Sequence, residues 1–267
     1  MCLLIAQFGV EPDAPLIVAA NRDELLDRPA KVMTILRDSN PRILGGRDEL
    51  AGGTWLAVNE HGLVAGLTNQ PSGSGRDPSK RSRGELPLAF AQYETAAEAV
   101  PAVTTNLDPA QYNPCWMLVG DRHTMFSIGL SGGGKPDVEQ LRPGLHVLEN
   151  APLRPPSAKA AFVERLVAKA KGNAGPAGTV DALEVVLREH TPSVPEPRTD
   201  ASGRVWPPSI SAACVHAEGY GTRSAMTVVV PAGGLPIVRA ADGRPCEVPL
   251  QDFSDLWTAS WSAEMAG

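Results

Sequence analysis

The chain has 267 residues, 43% of them apolar and 20% charged, with a formal net charge of −6. That length can bury a core needing neither disulfides nor metal. Aromatic residues make up 5% and no long basic stripe occurs, which argues against stacked-base binding and against a DNA footprint, so no nucleic-acid partner is expected.

Residues 1–7 carry no basic leader and too short an apolar run for a signal or anchor. No membrane span is expected, and the compartment reads as cytoplasmic, with reduced thiols. Residues 3–8 and 16–20 read as adjacent buried strands joined by a turn at 9–15. A second hairpin follows at 54–59 and 63–69, around Glu60-His61-Gly62. Residues 70–84 form a loop rich in Pro, Ser, Gly, Lys and Arg, and 85–100 a helix. Residues 116–120 and 124–128 make another strand pair. The spacing of Phe162, Val163, Leu166, Val167 and Ala170 predicts an amphipathic helix over 157–171, stopped by Gly172. Thr179 reads as the cap of a further helix in which Val180, Leu183, Val186 and Leu187 repeat. A Pro-rich connection spans 191–208, and 211–215 and 225–230 are the last strands, around Gly219-Tyr220-Gly221. Hairpins come first, then helices, then hairpins, with no repeat and no clean boundary. Residues 1–267 are therefore expected to form one α+β domain of antiparallel sheets covered by helices, without the alternation of a doubly wound sheet.

Cys2 is the first residue with chemical promise. Removal of Met1 would leave one residue carrying both a thiol and a free α-amine. An α-amine has a pKa of roughly 7.7–8.0, so it can take the thiol proton and return it to a leaving group without a separate histidine. The plainer reading is a small core residue opening a strand. Next, the apolar strand ending at Ala20 breaks into Asn21-Arg22-Asp23-Glu24. In a hairpin the end of the second strand lies beside the start of the first, so Arg22 and Asp23 should arrive at Cys2. Arg22 would hold a thiolate or a substrate carboxylate, and Asp23 would orient the α-ammonium group; the alternative is a solvated turn with a local ion pair. With cationic groups around it, Cys2 is expected to favour thiolate.

Other signals are weaker. Gly129-Leu130-Ser131-Gly132-Gly133 fits a nucleophile-elbow pattern but is followed by Gly134-Lys135-Pro136, not a helix. Gly45-Gly46 and Gly52-Gly53 suit tight turning or close backbone approach. Arg76, Lys80, Arg81 and Arg83 read as a solvated loop or as a greeting for a carboxylate at a cavity mouth. Cys2, Cys115, Cys214 and Cys246 make no C-x-x-C pair, and the five histidines make no H-x-x-x-H, so no metal site is expected.

The motifs together resemble one family. Met1-Cys2, Ala20-Asn21-Arg22-Asp23-Glu24 and Arg28-Pro29 are followed by Gly45-Gly46-Arg47-Asp48 and Gly52-Gly53-Thr54-Trp55-Leu56. Leu67-Thr68-Asn69, Ser82-Arg83-Gly84-Glu85-Leu86 and Tyr220-Gly221-Thr222-Arg223-Ser224 complete a collinear set. The chain thereby resembles the NRDE family, also called the transport and Golgi organisation protein 2 family. The middle departs from the family pattern of L-S-N and P-W-P-K: here Leu148-Glu149-Asn150 precedes Leu153-Arg154-Pro155-Pro156-Ser157-Ala158-Lys159, keeping the Asn but neither the Ser nor the Trp. That family resembles the N-terminal-nucleophile hydrolases of the penicillin V acylase group. The resemblance implies a four-layer αββα sandwich and a catalytic set of Cys2, Arg22, Asp23, Asn69, Asn150 and Arg223 in one cavity.

Two roles follow from the resemblance. One is a Cys-dependent amidohydrolase or acyltransferase on a small amide or thioester, needing no cofactor. The other is a carrier in haem trafficking or acyl-lipid and acyl-CoA homeostasis, with haem as the carried ligand. Cys2, His61, His123 and His146 are then the available axial ligands, and none stands in a diagnostic motif.

Overall fold

The computed structural model describes residues 2–71, 75–170, 175–200 and 203–260. In chain order it contains β1 (Cys2–Glu11), β2 (Ala14–Leu25), β3 (Ala30–Arg37), β4 (Ile43–Asp48), β5 (Leu56–Asn59) and β6 (Val64–Asn69), then α1 (Glu85–Phe90) and α2 (Ala96–Asn106). β7 (Cys115–Gly120), β8 (Met125–Leu130), β9 (Asp137–Gln140) and β10 (Gly144–Leu148) lead to α3 (Ala158–Ala170) and α4 (Gly175–Leu187). The rest comprises β11 (Arg198–Thr199), β12 (Val205–Trp206), β13 (His216–Ala217), β14 (Tyr220–Val230), β15 (Ile237–Ala241) and β16 (Gln251–Asp252).

One sheet runs β10-β1-β2-β14-β15-β16 with β13 added to β14, and the other runs β3 to β9 in sequence order. Alternation along β1 and β2 decides how they stack. Even-numbered Leu4, Ala6, Phe8, Leu16, Val18 and Ala20 meet Leu44, Leu56, Val58 and Leu118 of the facing sheet. Odd-numbered Leu3, Ile5, Ile17 and Ala19 pack under Val163 and Val167 of α3 and Leu183 and Leu187 of α4. The second sheet's outer face, with Ala65, Met117 and Val119, is covered by Leu86 and Phe90 of α1 and Ala99 and Val100 of α2. Each Val, Leu, Ile, Phe or Met among these contributes about 1.5–3 kcal/mol through burial. The result is the expected four-layer αββα sandwich. Among the described residues no helix is long and apolar enough to cross a membrane.

Several local readings change. The helix expected over 85–100 is two helices, because Thr95 caps α2 by accepting from the Glu98 N–H and Asn59 Nδ2 donates to the Ala91 and Tyr93 carbonyls in the break. Thr179 lies inside α4, where its hydroxyl donates to Glu11 Oε1 at 2.8 Å. Ser157 does cap α3, accepting from the Ala160 N–H at 3.0 Å, whereas Gly172 lies outside the described residues. Residues 211–215 are not a strand. Asn21 Nδ2 takes the Ala213 carbonyl, the Cys214 N–H donates to the Glu189 carbonyl and the Val215 N–H to Thr222 Oγ1, so the backbone there is bonded without a ladder.

One carboxylate ties β4 to the end of β2. Asp48 Oδ2 accepts from Arg22 Nη2 at 3.0 Å and Arg28 Nε at 2.7 Å, while Oδ1 accepts from Arg28 Nη2 and from the Leu50 and Ala51 N–H groups. Gly46, next to it but one, is a close approach rather than a turn: a Cβ there would fall 2.0 Å from the Trp55 ring. That ring in turn lies 4.4 Å below the Arg22 guanidinium. Burial raises the Asp48 carboxyl pKa, but the Arg28 bonds, the Ala51 N–H and Arg22 outweigh it, leaving it below the ordinary 3.8. A depressed folded-state value means stability that is present above the unfolded pKa and lost as pH falls through the folded one. Asp48→Asn should cost about 2 kcal/mol at pH 7, and urea titrations should show the gap to the parent closing below pH 3.8. An equal gap at neutral and strongly acid pH would refute the clamp.

Candidate active site

Cys2 begins a central strand, between β10 and β2. It pairs with Arg22 across β2. On the other side the β1–β10 ladder ends with Leu4 opposite Leu148, two residues before Asn150. Cys2, Arg22 and Asp23 are all more than nine-tenths buried, yet they line a cavity of about 360 Å³ at the end of the sandwich. Asn69, ending β6 on the facing sheet, lines it too, as do Trp55, Arg28 and Asp48.

Strand parity sorts the polar run at the end of β2. Asn21 points to the helix side and donates to the Leu187 and Ala213 carbonyls at 2.9 and 2.8 Å, so it is a structural tie. Arg22 points between the sheets, and its buried Nη1 has no hydrogen-bond partner among the described residues. Asp23 returns to the helix side, where Thr222 Oγ1 donates to its Oδ1 at 2.7 Å and Lys159 Nζ of α3 lies 3.7 Å from its Oδ2. Burial raises the Asp23 carboxyl pKa, and Lys159 and the Thr222 bond restrain the rise. Glu24, again on the cavity side, sits 3.9 Å from both Arg22 and Arg28.

The Cys2 thiol differs from the thiolate expectation. Burial pushes its pKa up and the Asp23 charge adds to this, against the opposing Arg22 guanidinium. Only one of the two expected arginines stands nearby. The β14 ladder pairs Thr222 with Asp23 and Ser224 with Arg22, leaving Arg223 as the extra residue of a bulge. Arg223 Nη1 instead meets Asp242 Oδ1 at 2.8 Å, and Arg223 is not among the described residues lining the cavity. Asn150 does not line it either; it lies behind Asn69, donating from Nδ2 to the Asn69 carbonyl, and its buried Oδ1 has no described partner. The structure thus gathers Cys2, Arg22, Asp23 and Asn69, sets Asn150 against them, and leaves Arg223 aside.

Arg76, Arg81 and Arg83 of the basic loop line the cavity mouth, while Lys80 donates to the Tyr112 carbonyl. Arg81 is paired with Glu85; Arg76 and Arg83 meet no described acid in an ion pair. The cavity therefore carries five arginines against Asp23, Glu24 and Asp48. Asp48, Trp55 and Thr222 lie in runs that carry the family resemblance without being site candidates in the sequence, and Lys159 lies in the segment that departs from the family pattern. Of the histidines, His61 and His123 line a separate open cavity of about 440 Å³, and His146 is buried with Nε2 2.9 Å from the Arg142 carbonyl.

Comparisons with known proteins bear on the family and the fold. The human and mouse transport and Golgi organization protein 2 homologues are 32% and 31% identical, each over 88% of this chain and 90% of their own. Penicillin V acylase from Agrobacterium tumefaciens superposes with a TM-score of 0.52 at 11% identity, covering 94% of this chain and 97% of its own. A mutant conjugated bile acid hydrolase from Clostridium perfringens superposes at 0.53 and 11%, covering 96% and 93%. At such identities the likeness establishes the N-terminal-nucleophile hydrolase fold alone. The family model for transport and Golgi organisation 2 matches residues 1–235, and the chain belongs to that family.

Proposed function

We propose that this protein is a cytoplasmic N-terminal-nucleophile hydrolase or acyltransferase for a small amide or thioester bearing an anionic group, with Cys2 as nucleophile once Met1 is removed. The observation that carries the reading is the placement of Cys2 at the floor of the cavity, flanked by Arg22 and faced by Asn69. The Cys2 sulfur attacks the carbonyl carbon while its proton passes to the α-amine. The tetrahedral intermediate collapses as the carbon–nitrogen or carbon–sulfur bond breaks, and the same proton leaves with the amine or thiol. Water or an acceptor amine then releases the acyl group from Cys2. Burial that pushes the Cys2 thiol pKa up suits this scheme, since attack and proton transfer then occur together.

Asn69 supplies an amide donor to the oxyanion, a contact worth about 3 kcal/mol in proteases. Asn150, fixed to the Asn69 carbonyl, offers its unsatisfied Oδ1 to the α-ammonium. Asp23 and Lys159 hold the end of β2 beside Cys2. The free Nη1 of Arg22 and the cations of Arg76 and Arg83 select the anionic group.

A carrier without turnover is the second reading, favoured by the same basic mouth, which suits a haem propionate or a coenzyme A phosphate. Incubating Met1-processed protein with acyl-CoA thioesters and N-acyl amino acids separates the two. The enzyme gives a mass adduct mapping to Cys2 together with turnover, and both vanish in Cys2→Ala and in protein retaining Met1. Turnover that survives Cys2→Ala overturns the nucleophile; wild-type protein that binds these ligands or haem unchanged, and no better than Cys2→Ala, establishes the carrier.

The mouth makes its own prediction. Arg76→Ala should raise KM about fivefold for acyl donors with a carboxylate or phosphate, the size of a roughly 1 kcal/mol exposed charge contact. Neutral donors should be unaffected, and kcat should hold for both. An equal KM change for charged and neutral donors would remove Arg76 from substrate selection.

A further inference from the structure

A second constellation lies outside the cavity. Cys214 Sγ is 3.7 Å from Cys246 Sγ and 3.7 Å from His216 Nε2, and Cys246 Sγ is 3.4 Å from His216 Nε2. His190 joins them: one ligand atom from each of the four side chains lies within 4.8 Å of the others. The two imidazoles meet edge to face, with centroids 4.6 Å apart. The four residues come from three separate segments. His190 follows α4, Cys214 and His216 stand at β13, and Cys246 lies in the turn after β15.

These separations are those of a coordination shell. Zinc binds thiolate at about 2.3 Å and imidazole at about 2.0–2.1 Å, so a tetrahedron of such ligands has edges of about 3.8 Å between sulfurs and about 3.6 Å between sulfur and nitrogen. The three separations lie within about 0.2 Å of those edges, and the exposed His190 brings a fourth ligand atom within 4.8 Å of the others. A disulfide explains less: its sulfurs stand about 2.05 Å apart, and it gives no reason for two imidazoles to converge on them. A Cys–His nucleophile pair has no use for a second thiol at the same nitrogen.

We propose that His190, Cys214, His216 and Cys246 form a structural zinc site with two thiolate and two imidazole ligands and no open coordination position. Two thiolates, two imidazoles and tetrahedral spacing select zinc over the hard cations that oxygen ligands serve. The site stands behind the candidate active site. The backbone after Cys214 bonds Thr222 twice, Val215 N–H to Thr222 Oγ1 and Thr222 N–H to the Val215 carbonyl, both at 2.9 Å. Thr222 in turn holds Asp23. The ion would staple the end of α4, the β13 loop and the β15 turn into one wall supporting Asp23.

The test needs no activity. Protein purified without chelator should carry one zinc per chain by elemental mass spectrometry. Replacement by cobalt(II) should give the visible bands of tetrahedral cobalt and near-ultraviolet sulfur-to-cobalt charge transfer. Both signatures should persist in Cys2→Ala, which separates this site from the cavity. Cys246→Ser should weaken zinc binding at least tenfold and reduce the charge-transfer band. His190→Ala, at an exposed position, should fold and show a shifted visible spectrum. The proposal is overturned if wild-type protein binds neither zinc nor cobalt stoichiometrically. It is also overturned if the cobalt spectrum lacks sulfur charge transfer, or if alkylation-trapped protein contains a Cys214–Cys246 disulfide.

Discussion

The antiparallel register of β1 against β2 is the constraint on which the site depends. Leu4 opposite Ala20 and Ala6 opposite Val18 put one set of apolar side chains between the sheets, while Leu3 and Ile5 go under the helices. A slip by one residue would exchange the two faces and expel both cores, so the register is held by the burial of Cys2–Phe8 against Leu16–Arg22. Cys2 and Arg22 are simply the last rung of that ladder. Their position is inherited from the packing of residues far from any chemistry, and it costs the site no separate ordering.

The same parity gives each member of the Asn21-Arg22-Asp23-Glu24 run its task. Odd members turn to the helix layer and bind structure: Asn21 reaches the carbonyls of Leu187 and Ala213, and Asp23 reaches Lys159 and Thr222. Even members turn to the cavity, where Arg22 and Glu24 meet Asp48 and Arg28. Four consecutive polar residues at a strand end are thus two interleaved pairs: Asn21 and Asp23 bond to the helix side, Arg22 and Glu24 form ion pairs on the cavity side, and Asp23 borders the cavity as well.

Much of this was legible beforehand. The hairpin geometry put Arg22 and Asp23 at Cys2, and the collinear motifs carried the αββα fold. What escaped has physical causes. The strand over β9 has four exposed residues and no buried alternation to betray it, and β4 contains Gly45-Gly46, whose purpose is to admit Leu56 and Trp55 at close range. Arg223 was implied by the family resemblance through the Tyr220-Gly221-Thr222-Arg223-Ser224 run; the bulge between Thr222 and Ser224, a register event invisible in residue types, carries it to Asp242 instead. Apolar 211–215 imitates a strand because Ala213 and Val215 are buried, though its backbone partners lie elsewhere. His190, Cys214, His216 and Cys246 are spread over three segments, so their convergence leaves no spacing signature.

The backbone contact between Gly53 and Gly84 has a further consequence. A Cβ on Gly53 would lie 2.5 Å from the Gly84 carbonyl carbon, and the Thr54 N–H donates to the Gly84 carbonyl at 3.0 Å. The end of the basic loop is therefore moored to the segment before β5 backbone against backbone, and both glycines belong to the cavity lining. A side chain at either one would have to push the two segments apart, which would reshape the wall of the cavity without replacing any of its polar groups.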